Sequence, residues 1–374
     1  MILTAVAGAL IVAVVLWEAF ETIVLPRRVA RRFRLTVVIY RGTWIPWRTI
    51  AHGIKHRKFR ETLLSFYGPL SLLILFVIWA AAIIFGFALL YKSASAGDST
   101  SPSFATFLYM SGTTMFTLGL GDVVPHTWME RFLAVFESGL GFGFLALVLS
   151  YLPVIYQAFS RREVNIVLLD ARAGSPPTAA ELLRRHSGPG GAEGLERLLR
   201  DWERSSADIL ESHISYPAVS YFRSQHTNES WLAALAAILD ASALLLACVE
   251  NACTRQARLT FAMCRHTAVD LAQLFNVPPV HATDRLPARE LERLRGVLTQ
   301  AGFRLRDDEV SLAKLAELRA MYEPYLHALS RFLYMELPPW ILGKEITDNW
   351  RTSAWGRISG LDASARQEPD DHLD

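Results

Sequence analysis

The 374-residue sequence contains little cysteine and little charge, and both shortages narrow the classes of protein it can belong to. Its three cysteines, Cys248, Cys253 and Cys264, form no Cys-X-X-Cys pair, and reduced thiols of this kind suit the cytosolic side of a membrane. Charged residues make up 20% of the chain and hydrophobic residues 52%. This balance is too apolar for an ordinary soluble protein of this length and points to a membrane.

Several signatures of catalysis and nucleotide binding are also missing. The sequence has no constellation of nucleophile, base and orienting group, so we expect no enzymatic activity. No Gly-X-Gly-X-X-Gly follows a strand pattern, which argues against a dinucleotide-binding regulatory domain. Neither a P-loop nor an arginine-bearing β-roll indicates a nucleotide site. A nucleic-acid partner is not expected, because the basic run of the chain lies between apolar stretches.

Three long apolar stretches occur before residue 160. Each can cross a hydrocarbon core of about 30 Å, which takes roughly 20 helical residues. They are Ile2 to Leu25, Leu63 to Leu90 and Phe132 to Phe159. A fourth stretch, from Phe104 to Phe116, is too short to cross. The sequence therefore predicts an all-α membrane protein with three transmembrane helices and a short helix between the second and the third.

The short stretch leads into a glycine-containing run, Thr117-Leu118-Gly119-Leu120-Gly121-Asp122. Glycine at alternate positions permits backbone angles that other residues avoid. With its flanking helices, the run resembles the selectivity filter of potassium channels, whose core is Thr-X-Gly-[Tyr/Phe/Leu]-Gly-Asp. The resemblance implies a re-entrant pore helix (103–116) and a filter (117–122) between an outer helix (63–91) and an inner helix (127–160). It also implies that K⁺ binds to the carbonyls of residues 117–120 and to the Thr117 hydroxyl.

Two residues of the inner helix are candidates for a role in gating, Gly141 from the same resemblance and Pro153 from the effect of proline on a helix. Gly141 lies nineteen residues after Asp122, where many family members carry a glycine hinge. Pro153 interrupts the same helix and is expected to kink or loosen it near the cytoplasmic exit. Both are therefore predicted to serve gating.

Side chains packed behind the filter are expected to support it. Glu137 is predicted to brace the filter by a hydrogen bond to Thr113 or Thr114 of the pore helix. Leu120 departs from the Tyr or Phe that commonly packs behind the filter. This departure leaves the strength of K⁺ over Na⁺ selectivity open.

The arginines indicate the topology. No lysine or arginine precedes Arg27, and eleven occur from Arg27 to Arg60. The positive-inside bias places this segment (27–60) on the cytoplasmic leaflet and the N-terminus of the first helix (1–26) outside. We expect a multi-pass protein of the plasma membrane whose first helix is not cleaved. The proline of Trp44-Ile-Pro-Trp47 is expected to break the basic segment into two helices.

The remainder of the chain is predicted to be a helical cytoplasmic domain (161–360) and a disordered acidic tail (361–374). Apolar residues at helical spacing follow one another from Leu195 to Leu210, and again in Leu259 to Phe275, Leu286 to Leu298 and Leu312 to Leu333. The apolar stretch from Trp231 to Val249 could pass for a fourth span. Asp240 in its middle favours a buried helix instead. This domain is expected to couple to the inner helix through Arg161 and Arg162.

Taken with the resemblance, these features predict a homotetrameric, potassium-selective channel in the lipid bilayer, with K⁺ as the permeant ion. Four copies are expected because one filter loop cannot encircle an ion. Two alternatives stay open: a weakly selective cation channel, and a non-conducting membrane scaffold or sensor built on a channel fold. The gating stimulus, which could be an unknown cytoplasmic ligand, does not follow from the sequence. His126 could sense external pH or be a plain surface histidine.

Overall fold

The structure is a computed structural model that describes residues 1–25, 35–95, 102–226, 229–250 and 252–343. These residues contain helices and no strand; their one isolated β-bridge joins Val249 and Leu305. The all-α prediction is confirmed for this part of the chain. The arginines between 27 and 34 and the predicted tail (361–374) lie outside it. The chain divides into two compact units, Met1–Gln157 and Ala158–Asp374.

Within the described residues, the first unit is built from four longer helices and one short one. They are α1 (Ile2–Ala19), α2 (Leu35–His52), α3 (Arg57–Ala94), α4 (Phe104–Met115) and α5 (Trp128–Ala173), the last of which continues into the second unit. Among the described residues, three segments are long and apolar enough to cross a membrane: Ile2–Ile23, Arg57–Ala94 and Trp128–Ala173. The three predicted transmembrane stretches are thus confirmed as helices.

Two glycines let α1 lie directly against α3. A Cβ atom on Gly8 would come within 2.6 Å of the Gly86 carbonyl oxygen, and one on Gly86 would come within 2.7 Å of Val12. Small residues at a crossing point allow helix backbones to approach closely, and such contacts drive helix association in lipid. A short π-helical turn, Phe20–Val24, follows α1.

The predicted break at Pro46 is wrong, because α2 runs through this proline as one helix. Aromatic packing on α3 accounts for the difference. Trp44 is buried with its ring 4.7 Å from that of Tyr67, and Trp47 Nε1 donates to the Leu63 carbonyl at 3.1 Å. The Tyr67 hydroxyl donates to the Tyr40 carbonyl at 2.9 Å. These contacts hold α2 on both sides of its proline and outweigh the lost backbone hydrogen bond.

Side-chain caps define where α4 and α5 begin. Ser103 caps α4 by accepting from the Thr106 amide at 3.2 Å. At the start of α5, the Glu130 amide donates to Thr127 Oγ1, and Glu130 Oε2 accepts from the Thr127 and His126 amides. This reciprocal arrangement is a capping box. The helix then runs through Pro153 to Ala173, beyond the predicted end of the inner helix at residue 160.

The second unit is formed by shorter helices around a fully buried one. After the last part of α5 come α6 (Ala179–Arg185), α7 (Gly191–Ser215), α8 (Trp231–Ala247), α9 (Thr254–Leu274), α10 (Ala288–Gln300), α11 (Glu309–Ala320) and α12 (Glu323–Leu333). Every residue of α8 is buried, as predicted from Asp240. The stripe from Leu312 to Leu333 is two helices rather than one, because the chain turns at Met321 and Tyr322.

Candidate functional site

The run from Thr117 to Asp122 has an unusual backbone. Thr117, Gly119 and Gly121 have φ angles of +56°, +54° and +79°, whereas Leu118 and Leu120 between them keep negative φ. Glycine adopts positive φ without cost, but a β-branched threonine in this region is a true outlier. Such strain persists only where the surroundings impose it, and it clusters at functional sites. The alternation therefore marks this run as the candidate site.

The run begins directly at the C-terminal end of α4. The Thr117 and Leu118 amides donate to the carbonyls of Thr114 and Thr113 at 3.0 and 2.8 Å. The carbonyl end of a helix carries a partial negative charge, so a cation near this end is favoured. The helix has 12 residues, about 18 Å, which is too short to cross a bilayer.

Side chains of the run face away from the rest of the chain. Leu118 and Leu120 are 62% and 65% exposed, and a Cβ atom on Gly119 or Gly121 would meet nothing within 4 Å. Asp122 closes the run and accepts a hydrogen bond from the Tyr109 hydroxyl of α4 at 2.8 Å. The run is thus tied to α4 at both ends, while the residues between are open on the single chain.

A polar clamp lies behind α4, and its members differ from those predicted. Glu137 of α5 is fully buried and accepts hydrogen bonds from the Tyr91 hydroxyl at 2.8 Å and from the Ser111 hydroxyl. The hydroxyls of Thr113 and Thr114 donate to the Met110 carbonyl at 2.9 and 2.8 Å.

Tyr91 and Ser111 of this clamp were not predicted from the sequence. Tyr91 lies near the end of an apolar span, and nothing in its sequence context pairs it with a carboxylate 46 positions away. Ser111 lies two and three positions before Thr113 and Thr114, the residues that were predicted to bond Glu137. Together the two hydroxyls connect α3, α4 and α5 through one carboxylate, and we name this group the Glu137 clamp.

Gly141 has a packing role in the structure. A Cβ atom at this position would lie 2.0 Å from the Met115 carbonyl oxygen, at the end of α4. At Gly139 and Gly143 a Cβ would meet nothing within 4 Å. Gly141 therefore allows α5 to touch the residue two positions before Thr117, while its hinge role, like that of Pro153, stays a prediction.

In the second unit, Arg162 is buried at the end of α5, whereas Arg161 is exposed. The Arg162 guanidinium donates to the carbonyls of Val219 and Phe222, each at 2.9 Å, and pairs with Glu163 at 3.1 Å. Its Nη1 also lies 3.4 Å from Nε2 of buried His213. Burial and the positive charge of Arg162 hold the pKa of His213 well below its usual range.

The second unit also contains a buried carboxylate with a cation as partner. Asp240 of α8 accepts two hydrogen bonds from Arg285, at 2.7 and 3.2 Å, and one from the Tyr322 hydroxyl at 2.7 Å. Arg285 in turn contacts Glu323 at 3.4 Å. Although burial alone would lower the pKa of Arg285, the Asp240 carboxylate raises it above its ordinary value. We name this group the Asp240 network.

No cluster of three or more His, Cys, Asp or Glu residues that could hold a metal ion occurs among the described positions.

Comparison with known proteins identifies the part of the chain that carries this site. Residues 72–157, which include α4, the Thr117–Asp122 run and the Glu137 clamp, match the protein family described as ion channel. This stretch is therefore similar to an ion-channel module. The match bears out the resemblance to the potassium-channel family, and it indicates a channel rather than an enzyme.

Relatives cover only parts of the chain. The chain is 25% identical over 185 residues, 48% of its length, to the uncharacterized membrane protein YdjJ of Bacillus subtilis, and spans 53% of that protein. It is 38% identical over 65 residues, 17% of its length, to potassium voltage-gated channel subfamily KQT member 4 of human and rat, and spans 9% of those chains. No solved structure matches the chain significantly. Together with the three long apolar helices, these similarities indicate that the chain is a multi-pass membrane protein.

Proposed function

We propose that this protein is a potassium-selective channel in which four copies surround one pore. In each copy, the carbonyls of residues 117–120 and the Thr117 hydroxyl replace the water around K⁺. One observation carries the proposal: the alternation of positive and negative φ through Thr117, Gly119 and Gly121.

The alternation has a direct consequence for the carbonyls. In an extended chain, successive carbonyls point to opposite sides. A left-handed residue at every second position turns the intervening peptide planes, so that the carbonyls of the run can face the same side. A row of carbonyls on one side is what a dehydrated cation requires. One such row cannot surround an ion, and the exposed Leu118 and Leu120 leave room for other copies.

Further support comes from the helices of the module. In the most apolar 18-residue segment of α5, only 11% of the residues are buried within the single chain, compared with 50% in the corresponding segment of α3. An inner helix that lines a pore between copies would have this low burial. The short α4, with its carbonyl end at the run, suits a re-entrant pore helix. The partial similarity to a potassium voltage-gated channel favours K⁺ as the ion.

We place the N-terminus outside and the second unit in the cytoplasm of the cell, because the basic residues follow the first span. Arg161 and Arg162, which follow the third apolar stretch, agree with this orientation. The carbonyl end of α4 and the run would then form the outer part of the pore.

A flux assay with two matched glycine variants tests the proposal. Full-length protein is reconstituted into K⁺-loaded liposomes, and K⁺ efflux is measured with Na⁺ outside. Gly119→Ala and Gly112→Ala each add one methyl group into open space, but only Gly119 has positive φ. Alanine in this conformation costs about 1–2 kcal/mol per copy. We expect Gly119→Ala to lose at least about 90% of the flux, since that cost is repeated in four copies, and Gly112→Ala to keep it.

Two other outcomes would favour the alternatives. Equal Na⁺ and K⁺ flux would indicate a weakly selective cation channel. This alternative is favoured by Leu120, whose exposed side chain is aliphatic where potassium channels commonly have an aromatic ring. No flux from the parent protein, although it is folded and tetrameric, would favour a non-conducting scaffold.

A further inference from the structure

A cavity of about 250 Å³ lies in the second unit, where α11 and α12 meet. Its walls are the loop from Val280 to Asp284, the last turn of α11 and the first turns of α12. The Val280 amide donates to the Pro324 carbonyl at 3.0 Å, which ties the loop to α12. Ala316 and Ala320 of α11 line the cavity one turn apart, and their short side chains leave room for a small ligand. We name this space the His327 cavity, after a histidine of α12 in its wall.

Polar side chains of the His327 cavity keep hydrogen-bonding capacity that the chain itself does not use. In the described part of the chain, the side chains of His281, Thr283 and His327 form no hydrogen bond with another residue. Asp284 Oδ1 accepts from a backbone amide at 2.9 Å and contacts Arg319, whereas Oδ2 accepts no hydrogen bond from these residues. A concave, mostly apolar surface with a few such polar groups is typical of a small-molecule site.

The charges around the cavity favour a cation as the ligand. Two carboxylates, those of Asp284 and Glu323, line it together with one guanidinium, that of Arg319. Arg319 Nε and Nη2 donate to Glu323 at 3.1 Å each, and Nη2 also pairs with Asp284. The nearby Arg285 contacts Glu323 at 3.4 Å, but its charge is balanced by Asp240. One negative charge is therefore left over in the wall, and it attracts a positive ligand.

The protonation states of the wall suit a ligand that donates hydrogen bonds. The hydrogen bond from Arg319 holds the pKa of Asp284 below its ordinary value, and burial lowers the pKa of His327. At neutral pH the cavity therefore offers an ionised carboxylate and a neutral imidazole, each of which accepts hydrogen bonds. The Thr283 hydroxyl is a further acceptor. A protonated amino group matches this set, because it carries one positive charge and three N–H donors.

We propose that the His327 cavity binds a small organic cation through a protonated amino group. The ammonium group donates to Asp284 Oδ2 and to the His327 ring, and the aliphatic part of the ligand lies against Ala316 and Ala320. The inference does not depend on the proposed function, since all of these residues belong to the second unit and binding is measured without K⁺ flux.

Equilibrium dialysis of the full-length protein in detergent tests the site, with radiolabelled putrescine as the amine probe. Labelled succinate, which has the same carbon chain length and opposite charge, is the matched anion. Asp284→Asn removes the carboxylate charge, and Ala316→Leu fills the cavity while every polar group stays. Their controls are Asp201→Asn, at an exposed carboxylate of α7, and Ala313→Leu, at an exposed position of α11 outside the cavity.

We expect the parent protein to bind putrescine with a Kd of about 1 mM or lower, which is the range for a ligand of so few atoms. Asp284→Asn and Ala316→Leu should each weaken binding at least about tenfold, because one loses a charge-assisted hydrogen bond and the other loses the space. The two controls should bind as the parent does.

Three results would overturn the proposal: no saturable binding of putrescine, tighter binding of succinate than of putrescine, or equal binding of putrescine by the parent, Asp284→Asn and Ala316→Leu. The last result would place the amine elsewhere on the protein. None of them bears on K⁺ conduction, so the proposed function stands or falls by its own flux assay.

Discussion

The two units of this protein each bury a carboxylate completely, but with partners of different kinds. In the second unit, Asp240 is held by the guanidinium of Arg285 and by the Tyr322 hydroxyl. In the first unit, Glu137 is held by the hydroxyls of Tyr91 and Ser111. An ion pair inside a protein locks the fold, since the loss of one charge leaves the other buried and alone. A carboxyl group held by hydroxyls can be altered without leaving such a charge.

The difference suggests different purposes. The Asp240 network fastens α8 to the segments around Arg285 and Tyr322, which is a structural task. The Glu137 clamp joins three helices directly behind the Thr117–Asp122 run, where small shifts of α4 would move the carbonyls that begin the run. We therefore expect changes in the Asp240 network to affect stability, and changes in the Glu137 clamp to affect conduction.

The largest expected effect is in the Asp240 network. Asp240→Asn keeps the shape of the side chain but leaves Arg285 without its bidentate partner, and we expect a loss of about 3–5 kcal/mol in the free energy of unfolding. Denaturant titration of the full chain in detergent, followed by tryptophan fluorescence, measures this loss.

A surface pair provides the control for Asp240→Asn. Glu196 and Arg200 are 2.8 Å apart, with about half of each side chain exposed. Glu196→Gln should change the free energy of unfolding by less than about 1 kcal/mol. Equal effects of Asp240→Asn and Glu196→Gln would show that the buried pair does not lock the second unit.

Next in size is Gly141→Ala. The added methyl group would collide with the Met115 carbonyl, so α5 must move away from α4 at a cost of about 1–3 kcal/mol. We expect both a lower unfolding midpoint and reduced K⁺ flux. Gly139→Ala, on the same helix with open space around it, should leave both unchanged. If the two variants behave alike, the close packing at Gly141 is irrelevant to the pore.

A smaller stability effect but a clear functional one is expected for Glu137→Gln. The amide keeps an acceptor for one hydroxyl, so the free energy of unfolding should fall by only about 1 kcal/mol. Because the hydrogen bonds behind α4 change, we expect altered K⁺/Na⁺ selectivity or faster loss of current during sustained opening. Patch recording of reconstituted channels measures both.

Tyr91→Phe is the companion to this variant, since it removes one hydroxyl and leaves the carboxylate. It should shift selectivity or current decay in the same direction as Glu137→Gln. If neither property changes in either variant, the Glu137 clamp does not support the filter.

The sequence predicted the helices and the position of the unusual backbone run better than it predicted the packing around that run. Apolar length sufficed for the three long helices, and the alternate glycines identified the run where positive φ angles occur. The helix break predicted at Pro46 was wrong, because contacts between Trp44 and Tyr67 hold the helix together and no local sequence pattern reveals them. The partners of Glu137 were missed for the same reason. Three side chains from three helices meet there, and their register depends on how the helices cross.

The smallest expected effect is a pH dependence of the second unit. His213 has a lowered pKa in the folded state, whereas an unfolded histidine titrates near pH 6.5. Below pH 6.5 the unfolded chain therefore binds a proton that the folded chain does not, and stability falls as pH falls toward the folded pKa. We expect a loss of about 1 kcal/mol between pH 6.5 and 5.5, measured by denaturant titration.

A variant separates this histidine from other groups. His213→Asn should reduce the pH dependence between 6.5 and 5.5, although it will lower stability at pH 7 as well. An unchanged slope in His213→Asn would assign the pH dependence to other residues.

The most direct test of the account is the reversal potential of the reconstituted protein with K⁺ on one side of the bilayer and Na⁺ on the other. If the alternating backbone of Thr117, Gly119 and Gly121 presents carbonyls to a dehydrated ion, the current reverses close to the K⁺ equilibrium potential. A reversal potential near zero would contradict a potassium-selective filter.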